Sequence, residues 1–307
     1  MKRRSFLAGA TCAFTTLPHV ASAEPREQEQ SGWWALDLET NRTLGENPDM
    51  HLPMCSTFKW LLAAATLSRT DYGREHLGRE IAFSRKDLIA ASPVVKDALA
   101  ASKTAHASLS VGELCAATVS LSDSTAANLL LKRLGGPAAL THWLRDHHYP
   151  VTRVDRYETA LNRVPMGDLR DTTTPRAMVS NLQNTLYGNN LSSASQAELL
   201  KWLLATTTGP KRMPAGLREG WRIGHKTGTW TVKPGYNPAV ERAASGDVAI
   251  LLPPYGQARS RSRLCSRIFH SSIRERGLVC RYRSSCNRPR LATAALKKAG
   301  RSVSPSL

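Results

Sequence analysis

Pro53-Met54-Cys55-Ser56-Thr57-Phe58-Lys59 runs straight into Trp60-Leu61-Leu62, and Ala65 and Leu67 continue the apolar face. From residue 58 onward the pattern is helical. Ser56 and Lys59 therefore stand three residues apart where a helix opens, with their side chains on the same side. A hydroxyl beside an amine pairs a nucleophile with a base, since a neutral or proton-sharing Lys59 can draw the proton from Ser56. Taken alone, the same four residues also read as an N-cap serine followed by a solvated lysine. The surrounding sequence decides between the two.

Ahead of this run, residues 33–38 alternate in the manner of a strand, and Asn41 with Gly45 supplies turn chemistry around a second short strand at 42–44. Behind it the chain turns helical. Ser110 with Glu113 forms a capping box, Gly135-Gly136 stops the segment 126–134, and Thr174 before Pro175 is an N-cap with proline at the first position. Ser195 with Glu198 reads as a second capping box. Strand character returns at 221–224 and 248–252. Helices enclosed between two sheet-forming ends predict an α/β chain of the α+β type, with a mainly antiparallel sheet flanked by helices. Residues 24–58 and 207–257 build that part, residues 59–206 form an inserted all-α domain, and the active site lies between them. No internal repeat is visible.

The formal charge of +18 suggests a nucleic-acid partner until it is divided along the chain. Residues 1–23 carry three basic and no acidic residues, and residues 258–307 carry thirteen basic and one acidic. The body between them is left at +3, too little for a binding stripe, so no nucleic-acid partner is expected. Lys2-Arg3-Arg4, the apolar run 6–14 and Ala21-Ser22-Ala23 have the order of an export signal. Arg3-Arg4 followed by Ser5-Phe6-Leu7 fits its twin-arginine form. The mature chain would begin at Glu24 and be periplasmic or secreted. Thr11 before Cys12 is a poor lipid-anchor site, and no run is long enough to cross a bilayer. Only Cys55 and Cys115 belong to the body; two dispersed cysteines suit buried packing rather than a disulfide scaffold or a metal site.

Two further motifs follow the first. Ser122-Asp123-Ser124 comes after the first central helix, and Lys226-Thr227-Gly228 follows the strand at 221–224. Singly these are turn residues and a surface lysine; in this order and spacing they resemble penicillin-recognising serine enzymes. Glu158-Thr159-Ala160-Leu161-Asn162, set between Arg156 and Asp171, resembles class A β-lactamases in particular. So do the wording of 53–59, of Gly167-Asp168-Leu169-Arg170-Asp171-Thr172-Thr173-Thr174-Pro175, and of 125–128. The resemblance covers about residues 33–252.

The resemblance implies a mechanism. Ser56 attacks the lactam carbonyl, and the backbone N–H groups of Ser56 and Thr229 receive the oxyanion. Lys59, or Glu158 through a water, takes the serine proton. Ser122 passes a proton to the departing nitrogen, with Lys226 supplying positive charge beside it. Thr227 and Thr229, flanking Gly228, offer hydroxyls to the substrate carboxylate, and Arg212 strengthens that anchor or is a solvated turn cation. Glu158 activates the deacylating water and Asn162 helps to hold it. Arg156 and Asp171 close an Ω-loop, 156–171, beneath the site. No cofactor or metal is implied; the partner is a small β-lactam, and the chain is expected to be a monomer.

The chain departs from the family at several points. Ser124 stands where the second motif usually has asparagine, which is expected to change substrate preference. Trp230 occupies the place of the cysteine that some relatives pair with a Cys55 equivalent, so that disulfide is ruled out. Residues 231–247 look like an insertion at the site entrance. Residues 24–32 leave room for about two turns of the usual long first helix. After Gln257 the expected apolar strand and helix are replaced by a segment rich in Arg, Ser and Cys, as if out of frame or badly diverged, with 291–299 the one plausible late helix. Two rivals follow: a β-lactamase-like product made defective by its ends, and a D-Ala-D-Ala peptidase, against which Glu158 and Asn162 speak.

Overall fold

A computed structural model describes residues 30–254, apart from Pro234, Tyr236, Pro238 and Ala239, together with the backbone of Arg263–His270. The export signal, residues 24–29 of the helix expected at 24–32, the helix expected at 291–299 and the rest of the tail lie outside the described residues, and residues 30–32 are strand, not helix.

The chain opens with β1 (Gln30–Asp37) and β2 (Thr43–Glu46), an antiparallel pair in which Trp34 faces Gly45. Asn41, at φ 54°, makes the turn, while Gly45 lies within β2 instead. A Cβ at Gly45 would meet Trp34 Cε3 at 2.3 Å, so glycine here leaves room for the indole. The short β3 (Leu52–Pro53) leads through one 3-10 turn, Cys55–Phe58, into α1 (Lys59–Asp71). That helix exceeds the apolar face expected of it. Residues 59–68 are buried all round, as in a helix surrounded by others. Ala63, Ala64 and Ala65 keep its middle turn narrow.

The helical region continues with β4 (Glu80–Ser84), α2 (Pro93–Ala101), β5 (His106–Ser110), α3 (Val111–Ser120), α4 (Ser124–Leu134) and α5 (Pro137–Asp146). After the Ω-loop come β6 (Thr172–Thr173), α6 (Pro175–Tyr187) and α7 (Ser193–Leu204). β4 and β5 add an antiparallel ribbon to the helices. Three predicted helix ends are present: the Ser110 and Glu113 box, Gly135 at φ 112°, and Thr174 Oγ1 accepting from Ala177 N at 3.2 Å. The Ser195 and Glu198 box is corrected. α7 begins earlier, capped by Ser192, and Ser195 Oγ instead donates to Asp71 Oδ1 at 2.7 Å. Burial opposes ionisation of Asp71, but the hydrogen bonds from Ser192 and Ser195 outweigh it and hold the carboxyl below its usual range.

β7 (Arg222–Trp230), β8 (Ala244–Leu252) and β9 (Arg263–His270) complete an antiparallel five-stranded sheet in the order β2-β1-β9-β8-β7. Two expectations change here. β8 already includes Ser245-Gly246-Asp247, so the segment expected at 231–247 is in part strand and the connection between β7 and β8 is 231–243. The tail after Gln257 also does not leave the fold at once: β9 pairs with β1 from Gln30↔His270 to Asp37↔Arg263, and with β8 on its other edge. Averaged over fifty residues, the tail's composition conceals eight residues that include Leu264, Ile268 and Phe269, which is enough for one strand.

Candidate active site

Backbone contacts from three directions hold the nucleophile. Met54 N donates to Asp171 O at 3.1 Å, and Met54 O accepts from Thr57 N at 3.1 Å and Thr57 Oγ1 at 2.7 Å. Cys55 turns the chain at φ 44°. β7 presses against this turn at Gly228, where a Cβ would lie 2.5 Å from Met54 O and 3.0 Å from Thr57 N. Ser56 and Lys59 then follow on one 3-10 turn and the start of α1, on a common side as their spacing predicts. Burial pushes the Cys55 thiol up, and Glu158 adds to that shift; Cys115 is pushed up by burial to about 12. Both thiols are free and buried, and neither is a nucleophile.

Glu158 is the centre of the site. Its Oε1 accepts from Ser56 Oγ at 3.2 Å and lies 3.0 Å from Lys59 Nζ; its Oε2 accepts from Asn162 Nδ2 at 2.7 Å. The Lys59 and Glu158 side chains are 0% and 1% exposed, so this ion pair is shielded from water and salt. Asn128 fixes the backbone of the glutamate, with Nδ2 donating to Glu158 O at 2.9 Å and Oδ1 accepting from Glu158 N at 3.0 Å. The peptide bond after Glu158 is cis. Asn162 Oδ1 is buried and has no hydrogen-bond partner among the described residues.

The second motif sits across from this carboxylate. Asp123 is the N-cap of α4, with Oδ1 accepting from Ala126 N at 2.8 Å; its Oδ2 accepts from Val94 N at 2.9 Å and Val95 N at 3.1 Å. One buried carboxylate thereby secures two helix starts and sets Ser122, at φ 61°, between two lysines. Lys226 Nζ donates to Ser122 Oγ at 3.0 Å and Lys59 Nζ to the same oxygen at 3.4 Å. Lys59 also donates to Ser122 O at 2.8 Å and Ser124 Oγ at 3.1 Å. Ser124 thus turns its hydroxyl inward onto the lysine. Burial pushes the Lys226 ammonium well below the usual lysine range and Lys59 pushes the same way, while Asp247 and Glu158 oppose them.

β7 brings its residues to the rim of the same cleft. Thr227 Oγ1 is 2.7 Å from Thr208 Oγ1. Arg212 reaches the strand: Nη1 donates to Gly228 O at 3.2 Å and Nη2 to Thr229 Oγ1 at 2.6 Å. Arg212 is thus bonded to β7 beside Thr229. Arg156 Nε donates to Asp171 Oδ2 at 2.5 Å, and the other oxygen of Asp171 accepts from Asp155 N and Arg156 N at 2.7 and 3.1 Å. These bonds close the Ω-loop. Desolvation is the largest influence on Asp171 and raises its carboxyl from the ordinary range even against Arg156.

All the site residues read from the motifs converge here. Three contributors lay outside those roles: Asn128, Thr208 and the Asp171 carbonyl. Asn128 carried a signal, at the end of the 125–128 wording, but its bond to a glutamate thirty residues away did not.

A serine hydroxyl on a buried carboxylate–lysine pair, with a second serine between two lysines, defines an acyl-transferring serine hydrolase. The profile of the β-lactamase enzyme family matches residues 19–259. Among solved structures, an ancestral class A β-lactamase is 40% identical, with 84% of this chain and 94% of that one covered and a TM-score of 0.75. The class A β-lactamase of the last common ancestor of Gram-negative bacteria is 41% identical, at 83% and 91% coverage and a TM-score of 0.74. A β-lactamase from Xanthomonas campestris pv. campestris is 35% identical, at 85% and 91% and 0.74. The chain belongs to the β-lactamase enzyme family, and within it to class A.

Proposed function

We propose that the chain hydrolyses penicillins and cephalosporins through an acyl-enzyme on Ser56, and so confers resistance on its host. One observation carries the division of roles: a single buried carboxylate, Glu158, touches the nucleophile, the lysine and Asn162 together. In acylation the Ser56 Oγ–carbonyl bond forms and the lactam C–N bond breaks. The serine proton leaves by way of the Lys59–Glu158 pair, and Ser122, fed by Lys59 and Lys226, returns a proton to the nitrogen. The backbone N–H groups of Ser56 and Thr229 serve the oxyanion. Lys226, Thr227, Thr229 and Arg212 form the cradle for the substrate carboxylate. In deacylation a water held by Glu158 and the buried Asn162 Oδ1 attacks the ester.

β9 supports this reading against a defective product, because β1 and β8 have a strand between them. Residues 1–23 support export to the periplasm, and the nearly neutral body suits small-molecule substrates rather than a nucleic acid. The experiment is hydrolysis of a chromogenic cephalosporin by the purified chain, alongside Ser56→Ala and Glu158→Ala, with intact mass read after mixing. We expect turnover and a transient adduct in the unmutated chain, no adduct in Ser56→Ala, and a persistent adduct in Glu158→Ala, whose turnover falls about 100- to 10,000-fold. Failure of the unmutated chain to turn over or to form an adduct would sink the reading.

A further inference from the structure

The segment between β7 and β8 is joined to the Ω-loop by a buried guanidinium. Arg242 is 3% exposed. Its Nε donates to Val164 O at 3.2 Å, and its Nη1 donates to Gln30 Oε1 at 3.1 Å and lies 3.0 Å from Met166 Sδ. Beside it, Glu241 accepts from Trp230 Nε1 at 3.1 Å and faces Arg163 Nε at 3.8 Å. One residue before Val164, the carbonyl of Arg163 accepts from Arg156 Nη1 at 2.9 Å. Two successive carbonyls, just past the 3-10 turn Ala160–Asn162, therefore each end on a guanidinium. One comes from within the Ω-loop. The other comes from the segment between β7 and β8, 78 residues further along.

We propose that Arg242, two residues before β8, is a positioning residue for deacylation. By holding Val164 it fixes the exit of the turn that carries Asn162, and so the 2.7 Å bond from Asn162 to Glu158. The inference rests on the acyl-enzyme reading above. Apart from Glu158, which serves both halves of the reaction, the groups that open the ring hang on other elements: Ser56 and Lys59 on the turn into α1, Ser122 on the turn just before α4, and Lys226 on β7. Glu158 and Asn162 hang on the stretch Arg242 secures. A displacement there reaches the water-activating pair first, and such displacements act steeply on rate. Arginine suits the position because its fork serves a carbonyl, an amide oxygen and a thioether in one plane; lysine offers a single point.

The test uses the full chain with Arg242→Met, which fills the space without a donor, and Arg242→Lys. Kinetics on a chromogenic cephalosporin are read with the acyl-enzyme lifetime by intact mass. In Arg242→Met we expect the lifetime to lengthen on the order of tenfold, with kcat and KM falling together and kcat/KM changing less than about threefold. Arg242→Lys should lie between, and it carries the test alone if the methionine variant does not fold. Combined with Asn162→Ala, Arg242→Met should add little, because the two act through one bond. Additive losses would overturn the inference, as would an unchanged lifetime in the lysine variant or equal falls in kcat and kcat/KM. A chain with no adduct on Ser56 would instead overturn the proposed function, and this inference with it.

Discussion

Gly228→Ala tests whether contact between β7 and the nucleophile turn sets the rate. The added methyl would sit 2.5 Å from Met54 O, where ordinary contact begins at 3.4 Å. Its other neighbours are no softer, since Thr57 N and Thr57 Cγ2 lie at 3.0 Å. Met54 O cannot withdraw freely, being bonded twice to Thr57 and tied through its own N–H to Asp171. β7 must therefore move away from Ser56, taking Thr229 and Lys226 with it. Overpacking of this kind costs about 1–3 kcal/mol, or about 2–4 °C of melting temperature per kcal/mol for a chain of this size. The kinetic loss should be larger in proportion: a shift near 1 Å between reacting groups is worth roughly 100-fold. The assay is kcat/KM on a chromogenic cephalosporin beside a thermal melt. A variant within about threefold of the unmutated chain in kcat/KM, with an unshifted melt, would refute the argument that this contact positions the site.

Ser124→Asn replaces a hydroxyl on Lys59 with an amide that can bridge to a substrate side chain, so the ratio of penicillin to cephalosporin turnover should change; an unchanged ratio would count against a specificity role for Ser124. Lys226 has its ammonium depressed by burial and by Lys59, so its charge is lost at lower pH than an ordinary lysine's, and activity should fall as pH rises through that point. Arg stays charged; Lys226→Arg should therefore shift the alkaline limb of kcat/KM upward, and an unmoved limb would remove Lys226 from that role.

Local chemistry was legible in the sequence wherever one element carries it. Ser56 with Lys59, the Ser110 box and the Gly135 stop each depend on the geometry of a single turn of helix. Pairings made at a distance were not legible. Nothing near Arg242 announces Val164, and nothing near Asn128 announces the backbone of Glu158. Ser195 misled because Ser192, three residues earlier, takes the cap, while Ser195 lies inside α7 and turns its hydroxyl to Asp71, more than a hundred residues earlier in the chain. β9 was hidden for another reason: a sheet closes by backbone pairing, which asks little of composition.

The placement of β9 also bears on how the chain comes to be folded. β1, among the earliest described residues to leave the ribosome, receives its second neighbour from residues 263–270, after every motif residue has been made. Contacts so distant along the chain are slow to form. Some of the helices between can assemble meanwhile, α3 against α4 and α4 against α5, because those partners are close in sequence. A stop codon just before residue 263 would spare every motif residue and still leave β1 and β8 as facing open edges, an invitation to pair with other chains. β9, the last strand among the described residues, would thus decide solubility although every motif residue lies ahead of it.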